Sequence, residues 1–118
     1  MTSELEDLAA RLREFARVRD WERFHTPKNL VMALSGEVGE LVAEFQWLTP
    51  AEALDLDATA LARVRAELGD VTVYLTRLAD VLGVDLVEAA HAKLDESDRR
   101  YDPDVYRGSA RKAPPLPP

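Results

Sequence analysis

The chain has 118 residues, with 15 basic and 22 acidic side chains, a formal net charge of −7, 47% hydrophobic residues and no cysteine. That length suits one small domain with a real core, the acidic balance argues against general nucleic-acid binding, and the missing cysteines exclude disulfides, thiolate zinc sites and a cysteine nucleophile. No apolar run is long enough to span a bilayer and no basic start followed by an apolar stretch marks a signal peptide, so a cytoplasmic protein without a membrane partner is expected.

Four main helices are predicted. Ser3-Glu4-Leu5-Glu6 has the capping-box pattern, in which each side chain satisfies an orphan backbone donor. Leu5, Leu8, Leu12 and Phe15 follow at helical spacing and predict a first amphipathic helix to about Val18. Asp20 to Thr26 reads as a connector holding Trp21, Phe24 and His25. Thr26-Pro27 reads as the N-cap and first residue of a second helix, which runs to about Trp47 before Thr49-Pro50 stops it. Pro50 to Thr59 is an acidic connector with room for one helical turn. A third helix is predicted from about Ala58 to Leu82, closed by Gly83. Asp85-Leu86-Val87-Glu88 starts a fourth, which reaches about Arg100. Strand-like alternation is absent. The expected fold is all-α, a four-main-helix bundle over residues 1–101, with 102–118 a Pro-rich and partly disordered tail.

Two acidic pairs stand inside the apolar helices, Glu37-Val38-Gly39-Glu40 and Glu67-Leu68-Gly69-Asp70. Residues three apart share a helix face, so each pair aims two carboxylates one way. Between Asn29 and Ala62 there is no Lys, Arg or His to neutralise Glu37, Glu40 and Glu44. Four carboxylates converging without basic partners repel one another and leave water at heavy cost. A hard divalent cation with a preference for oxygen ligands resolves that conflict, which favours Mg²⁺, with Mn²⁺ as a substitute. Ordinary surface charge is the plain alternative for either pair taken singly. Gly36, Gly39 and Gly69 lie beside the acids; glycine costs a helix about 1 kcal/mol against alanine, which suggests close packing or ligand approach. A di-iron bundle would need two E-x-x-H motifs. Only Glu88-Ala89-Ala90-His91 has that form, and it reads as a solvated pair. Arg63 and Arg77 flank the acidic face and read as ion-pair partners.

Several stretches together resemble the MazG-like all-α nucleoside triphosphate pyrophosphohydrolases, and among them the short dCTP pyrophosphatase type. They are Arg19-Asp20-Trp21-Glu22-Arg23-Phe24-His25-Thr26-Pro27-Lys28-Asn29-Leu30, Gly36-Glu37-Val38-Gly39-Glu40-Leu41, Phe45-Gln46-Trp47, Glu67-Leu68-Gly69-Asp70-Val71 and Tyr74-Leu75, followed by Lys93 and Arg100-Tyr101. The resemblance spans about residues 5 to 112. It implies hydrolysis of a nucleoside triphosphate, dCTP or a modified pyrimidine analogue, to monophosphate and pyrophosphate. It also implies Mg²⁺ on Glu37, Glu40, Glu67 and Asp70, which together form the catalytic set. Trp21 and Trp47 match aromatics that enclose the base, and His25 and Tyr74 match pocket residues. Lys93 and Arg100 match the side that handles phosphates, with Ser97 and Tyr101 beside them. Ser97 stands where the family usually has Asn, and Leu12 where some members have His.

Read without the resemblance, Lys93, Ser97 and Arg100 share one face of the last helix, and Lys93 and Arg100 equally suit a basic turn that complements the helix dipole. The two tryptophans equally suit a core or an interface. Either Glu40 or Glu44 can take the proton from an attacking water. The apolar surface exceeds what one small bundle needs, so a homo-oligomer, dimer or tetramer, is expected. The rival from another class is a non-catalytic helical module that binds nucleotide or metal.

Overall fold

The computed structural model describes residues 3–118. Its elements are α1 (Glu4–Val18), a 3-10 turn (Glu22–Phe24), α2 (Pro27–Ala43), α3 (Pro50–Ala53), α4 (Ala58–Leu82), α5 (Leu86–Arg100) and α6 (Pro103–Tyr106), with no strand among the described residues. The chain forms two compact units, divided between Gly83 and Val84.

In the first unit the helix starts are set by side-chain caps. The Ser3 hydroxyl accepts from Glu6 N–H at 3.2 Å, while the Glu6 carboxylate accepts from Ser3 N–H at 2.8 Å. Thr26 caps α2 by accepting from Asn29 N–H. Asp57 caps α4 by accepting from Ala60 N–H at 2.7 Å. Such caps each contribute about 1 kcal/mol. Asp20, at φ 55, turns the chain after α1. Aspartate is among the few residues that tolerate that left-handed region, and the turn lets Trp21 N–H donate back to the Ala16 carbonyl at 2.9 Å. Gly83 closes α4 at φ 70, where a Cβ is strained.

α2 packs chiefly on α4, and α1 packs on α4 as well. Ala16, Leu30, Val64 and Ala79 are buried where these helices meet. Burying a leucine such as Leu30 stabilises by about 1.5–3 kcal/mol, and the alanines let the helix backbones approach. This core is thin. On α4, Leu61, Leu68, Leu75 and Leu82 recur every seven residues and stay 55, 51, 38 and 55% exposed. Val31, Val38 and Val42 are exposed on α2.

α2 ends at Ala43 rather than at Trp47. Beyond it the Glu44, Phe45 and Leu48 amides bond to the carbonyls of Leu41, Val42 and Phe45, each three residues back. This tighter pattern unwinds the helix ahead of the Thr49–Glu52 capping box that starts α3.

In the second unit Asp85 caps α5 by accepting from Glu88 N–H at 3.0 Å. The tail returns to the end of α5: Arg100 Nη2 donates to the Ala113 carbonyl at 2.7 Å and Nε to that of Pro114 at 3.2 Å. Ala113 is buried there. Tyr101 and Tyr106 meet edge to face at 5.1 Å, and Arg111 lies over the Tyr106 ring.

Candidate active site

The α2–α4 pairing brings the two acidic motifs face to face. Glu37, Glu40, Glu67 and Asp70 each offer one carboxylate oxygen, and these four atoms lie within 4.8 Å of one another. Glu37 and Glu67 are half-buried, whereas Glu40 and Asp70 are exposed. The Oε2 atoms of Glu37 and Glu67 are buried and accept no hydrogen bond. A buried orphan oxygen carries an uncompensated desolvation cost.

The electrostatics agree with the geometry. The Glu37 carboxyl is pushed up to about 7, first by the Glu40 carboxyl with which it can share a proton, then by burial, then by the charges of Glu40, Asp70 and Glu67. Glu67 is also raised, by burial first and then by Glu40, Asp70 and Glu44. Like charges this close cannot all ionise without a counter-charge. The donor set fits a hard divalent cation: four carboxylates, two of them with buried free oxygens, and no nitrogen or sulfur.

Glu44 stands outside this set. Arg63, expected as an ion-pair partner beside the acidic face, takes Glu44: its Nε lies 3.0 Å from Glu44 Oε2. The partner comes from α4, just past the base-free stretch of sequence. Close packing inside the chain does not explain the glycines. A Cβ at Gly36, Gly39 or Gly69 would meet no atom within 4 Å, so the space beside the carboxylates is open.

Tyr74 is half-buried on α4, one turn after Asp70. Trp21 packs edge-on against Phe15 at 5.7 Å and against His25 at 6.3 Å. His25 Nδ1 accepts from Arg77 Nε at 3.0 Å. Burial, and then the Arg77 charge, hold the imidazole below the usual histidine range. Arg77 Nη1 also reaches Asp80 Oδ2 at 3.2 Å, and Arg13 Nε meets the same oxygen at 3.1 Å. Sequence reading finds Arg77 as an ion-pair partner but misses its bond to His25, 52 residues away. Trp47 lies in the turn after α2 and is 85% exposed.

Lys93, Ser97, Arg100 and Tyr101 belong to the second unit. Lys93 pairs with Glu96 at 2.8 Å. Ser97 is half-buried, and its carbonyl accepts from Tyr101 N–H. Arg100 is held by the tail carbonyls as described. Glu88 and His91 are both exposed on α5.

Fold similarity gives the class. The chain superposes on a pyrophosphatase from Archaeoglobus fulgidus with a TM-score of 0.81 and 36% identity, covering 86% of this chain and 95% of that one. No family model matches. Among curated proteins the chain is 45% identical over 115 residues to dCTP pyrophosphatase 1 of Homo sapiens and of Rattus norvegicus, covering 96% of this chain and 68% of each relative. The Bos taurus protein of the same name is 46% identical over 116 residues. This chain belongs to the dCTP pyrophosphatase family of MazG-like all-α pyrophosphohydrolases.

Proposed function

We propose that the protein is a Mg²⁺-dependent nucleotide pyrophosphohydrolase that converts dCTP, or a modified pyrimidine analogue, to the monophosphate and pyrophosphate. The carboxylate quartet with its two orphan oxygens carries this reading, and membership of the dCTP pyrophosphatase family supplies the substrate class. Glu37, Glu40, Glu67 and Asp70 would hold the cation, with Mn²⁺ as a substitute. A hard cation there neutralises triphosphate charge and makes a nearby water a better nucleophile at neutral pH.

The remaining work falls to side chains. Water adds to the α-phosphorus, the bond from that phosphorus to the bridging oxygen breaks, and pyrophosphate leaves. A carboxylate takes the water's proton. One Glu44 oxygen is committed to Arg63, so Glu40 is the base we assign. Trp21, Trp47, His25 and Tyr74 form the nucleoside pocket in this reading. Lys93 and Arg100, with Ser97 and Tyr101, meet the phosphates; the first two are the charged donors suited to phosphate oxygens. We take residues 1–101 as the catalytic domain and 102–118 as its tail.

We favour a pocket drawn from more than one subunit over a chain that folds back sharply. Trp21 precedes α2 and Trp47 follows it. A helix of 17 residues is about 25 Å long from its rise per residue, too far for one base to touch both ends. The exposed leucine stripe of α4 and the open Trp47 support a homo-oligomer, dimer or tetramer. No helix among the described residues is long and apolar enough to cross a membrane. We assign the protein to the cytoplasm, where its nucleotide is found, and assign it no nucleic-acid partner.

A panel of canonical and modified nucleoside triphosphates with pyrophosphate detection, with and without EDTA, tests the reading. Release of pyrophosphate from dCTP that stops with EDTA and returns with Mg²⁺ supports it. Binding without turnover across the panel would instead identify the non-catalytic module.

A further inference from the structure

Arg77 does something no ion pair requires. Its side chain is only 8% exposed, yet its Nε–H is spent on an imidazole rather than on a carboxylate. Arginine has donors and no acceptor. The His25 Nδ1 that it meets at 3.0 Å must therefore carry a lone pair. His25 is thus neutral, with its proton on Nε2.

The arrangement is braced. Asp80 holds Arg77 Nη1, and Arg13 of α1 holds Asp80. The row Arg13–Asp80–Arg77–His25 ties α1 and α4 to the connector that precedes α2. The other charged groups around it are Glu14 and Arg17 from α1 and Glu22 from the connector. With Ala10, Arg13 and Arg77 they line a cleft of about 520 Å³. His25 itself sits edge-on to Trp21, which is exposed.

We infer that Arg77 is a positioning residue for nucleotide recognition: it locks His25 as a neutral Nε2–H donor beside Trp21, aimed at an acceptor atom of the nucleoside. This rests on the proposed function insofar as Trp21 and His25 line the nucleoside pocket. The chemical consequence is selectivity for a neutral acceptor. An imidazolium would attract phosphate, and an Nδ1–H tautomer would leave an acceptor at Nε2 in place of a donor. A donor held in one tautomer also disfavours ligands that lack the matching acceptor, because it is then left unpaired when the ligand covers it.

The test uses the full-length chain. Imidazole ¹⁵N NMR, with His91→Gln to separate the two histidines, reads the His25 tautomer without any ligand. The expected spectrum at neutral pH has Nε2 protonated and Nδ1 bare. Arg77→Leu should mix the tautomers and raise the titration midpoint. Arg77→Lys keeps the charge and guards against a folding failure in the leucine variant; it should restore the low midpoint only in part. In steady-state kinetics with dCTP, Arg77→Leu should raise KM about tenfold with kcat changed less than twofold. That KM penalty should disappear in a His25→Ala background. A merely structural arginine would keep its penalty in both backgrounds, and that result overturns the inference. So does a native His25 that is Nδ1-protonated or charged at neutral pH. If no nucleotide is turned over, the functional reading fails while the NMR arm still decides the state of His25.

Discussion

Helix α4 carries two motifs of the same spacing with opposite electrostatics. Glu67 and Asp70 sit three apart and repel. Arg77 and Asp80, two to three turns on, sit three apart and attract. The first pair faces two more acids and leaves a buried oxygen unbonded. The second is joined by Arg13 and His25 and is satisfied within the chain. Burial alone therefore does not mark the proposed reacting centre, since Arg77 is buried too. What marks it is charge that the chain itself does not compensate, which must be compensated from outside.

The largest effect should come from weakening that imbalance. Glu37→Gln, Glu40→Gln, Glu67→Gln and Asp70→Asn should each lower pyrophosphate release by about 100-fold or more, the scale for losing a group that stabilises reacting charge. Removing one charge also relieves repulsion, so the metal-free variants should melt at or above the native midpoint. Thermal melts in EDTA check the second half. Near-native activity in any two of the four would break the contrast.

Next in size is the proposed shared pocket. Trp21→Ala and Trp47→Ala should each cut activity about tenfold, in keeping with about 1–3 kcal/mol for a stacked base. Mixing the two weakened proteins should raise activity above that of either alone, because some mixed sites carry both native tryptophans. A fully active monomer in sedimentation, or no recovery after verified subunit exchange, would count against it.

The pH dependence is smaller and has a definite sign. Glu37 is raised from 4.5 to about 7 in the folded chain. Its neutral form is favoured by folding, so the stability linked to it is present below about pH 4.5 and lost as pH rises through about 7. His25 is lowered from 6.5 and acts oppositely: its contribution is present above that value and lost as pH falls. In EDTA, the native protein should therefore lose stability relative to Glu37→Gln as pH rises from 4.5 to 7.5. Mg²⁺ should remove the difference. A constant offset between the two proteins across that window would mean that the carboxylates do not interact as placed.

How much of this was readable beforehand follows from distance along the chain. Glu37 with Glu40, and Glu67 with Asp70, are placed by helix geometry alone, and only the meeting of α2 and α4 had to be added. Helix starts are local as well: Ser3 with Glu6 and Thr26 with Asn29 are capped across three residues. The end of α2 is less local, since the turn before Thr49 competes with helix propensity as far back as Glu44. Contacts such as Arg63 with Glu44 and Arg77 with His25 cross 19 and 52 residues. No spacing rule reports them, and they require the packed helices.

The smallest expected effect separates the compensated acid from the uncompensated ones. Glu44 is a fifth carboxylate near the quartet, and its charge adds to the rise of Glu67. It differs in having Arg63 at 3.0 Å, with the two side chains 20% and 56% exposed. A partly exposed pair of this kind contributes about 0.2–1 kcal/mol. Arg63→Ala and Glu44→Gln should each shift the melting midpoint by only a few degrees, with a coupling in the double mutant of that same small size. Activity should fall less than about fivefold in Glu44→Gln, because Glu40 takes the proton in our assignment and Glu44 only shapes the field around it. If Glu44→Gln instead matches Glu40→Gln in lost turnover, while Mg²⁺ still raises its melting midpoint as in the native protein, then Glu44 is the base. Pairing with an arginine would then be a way of holding a base in place, and compensation would no longer tell structural acids from reacting ones.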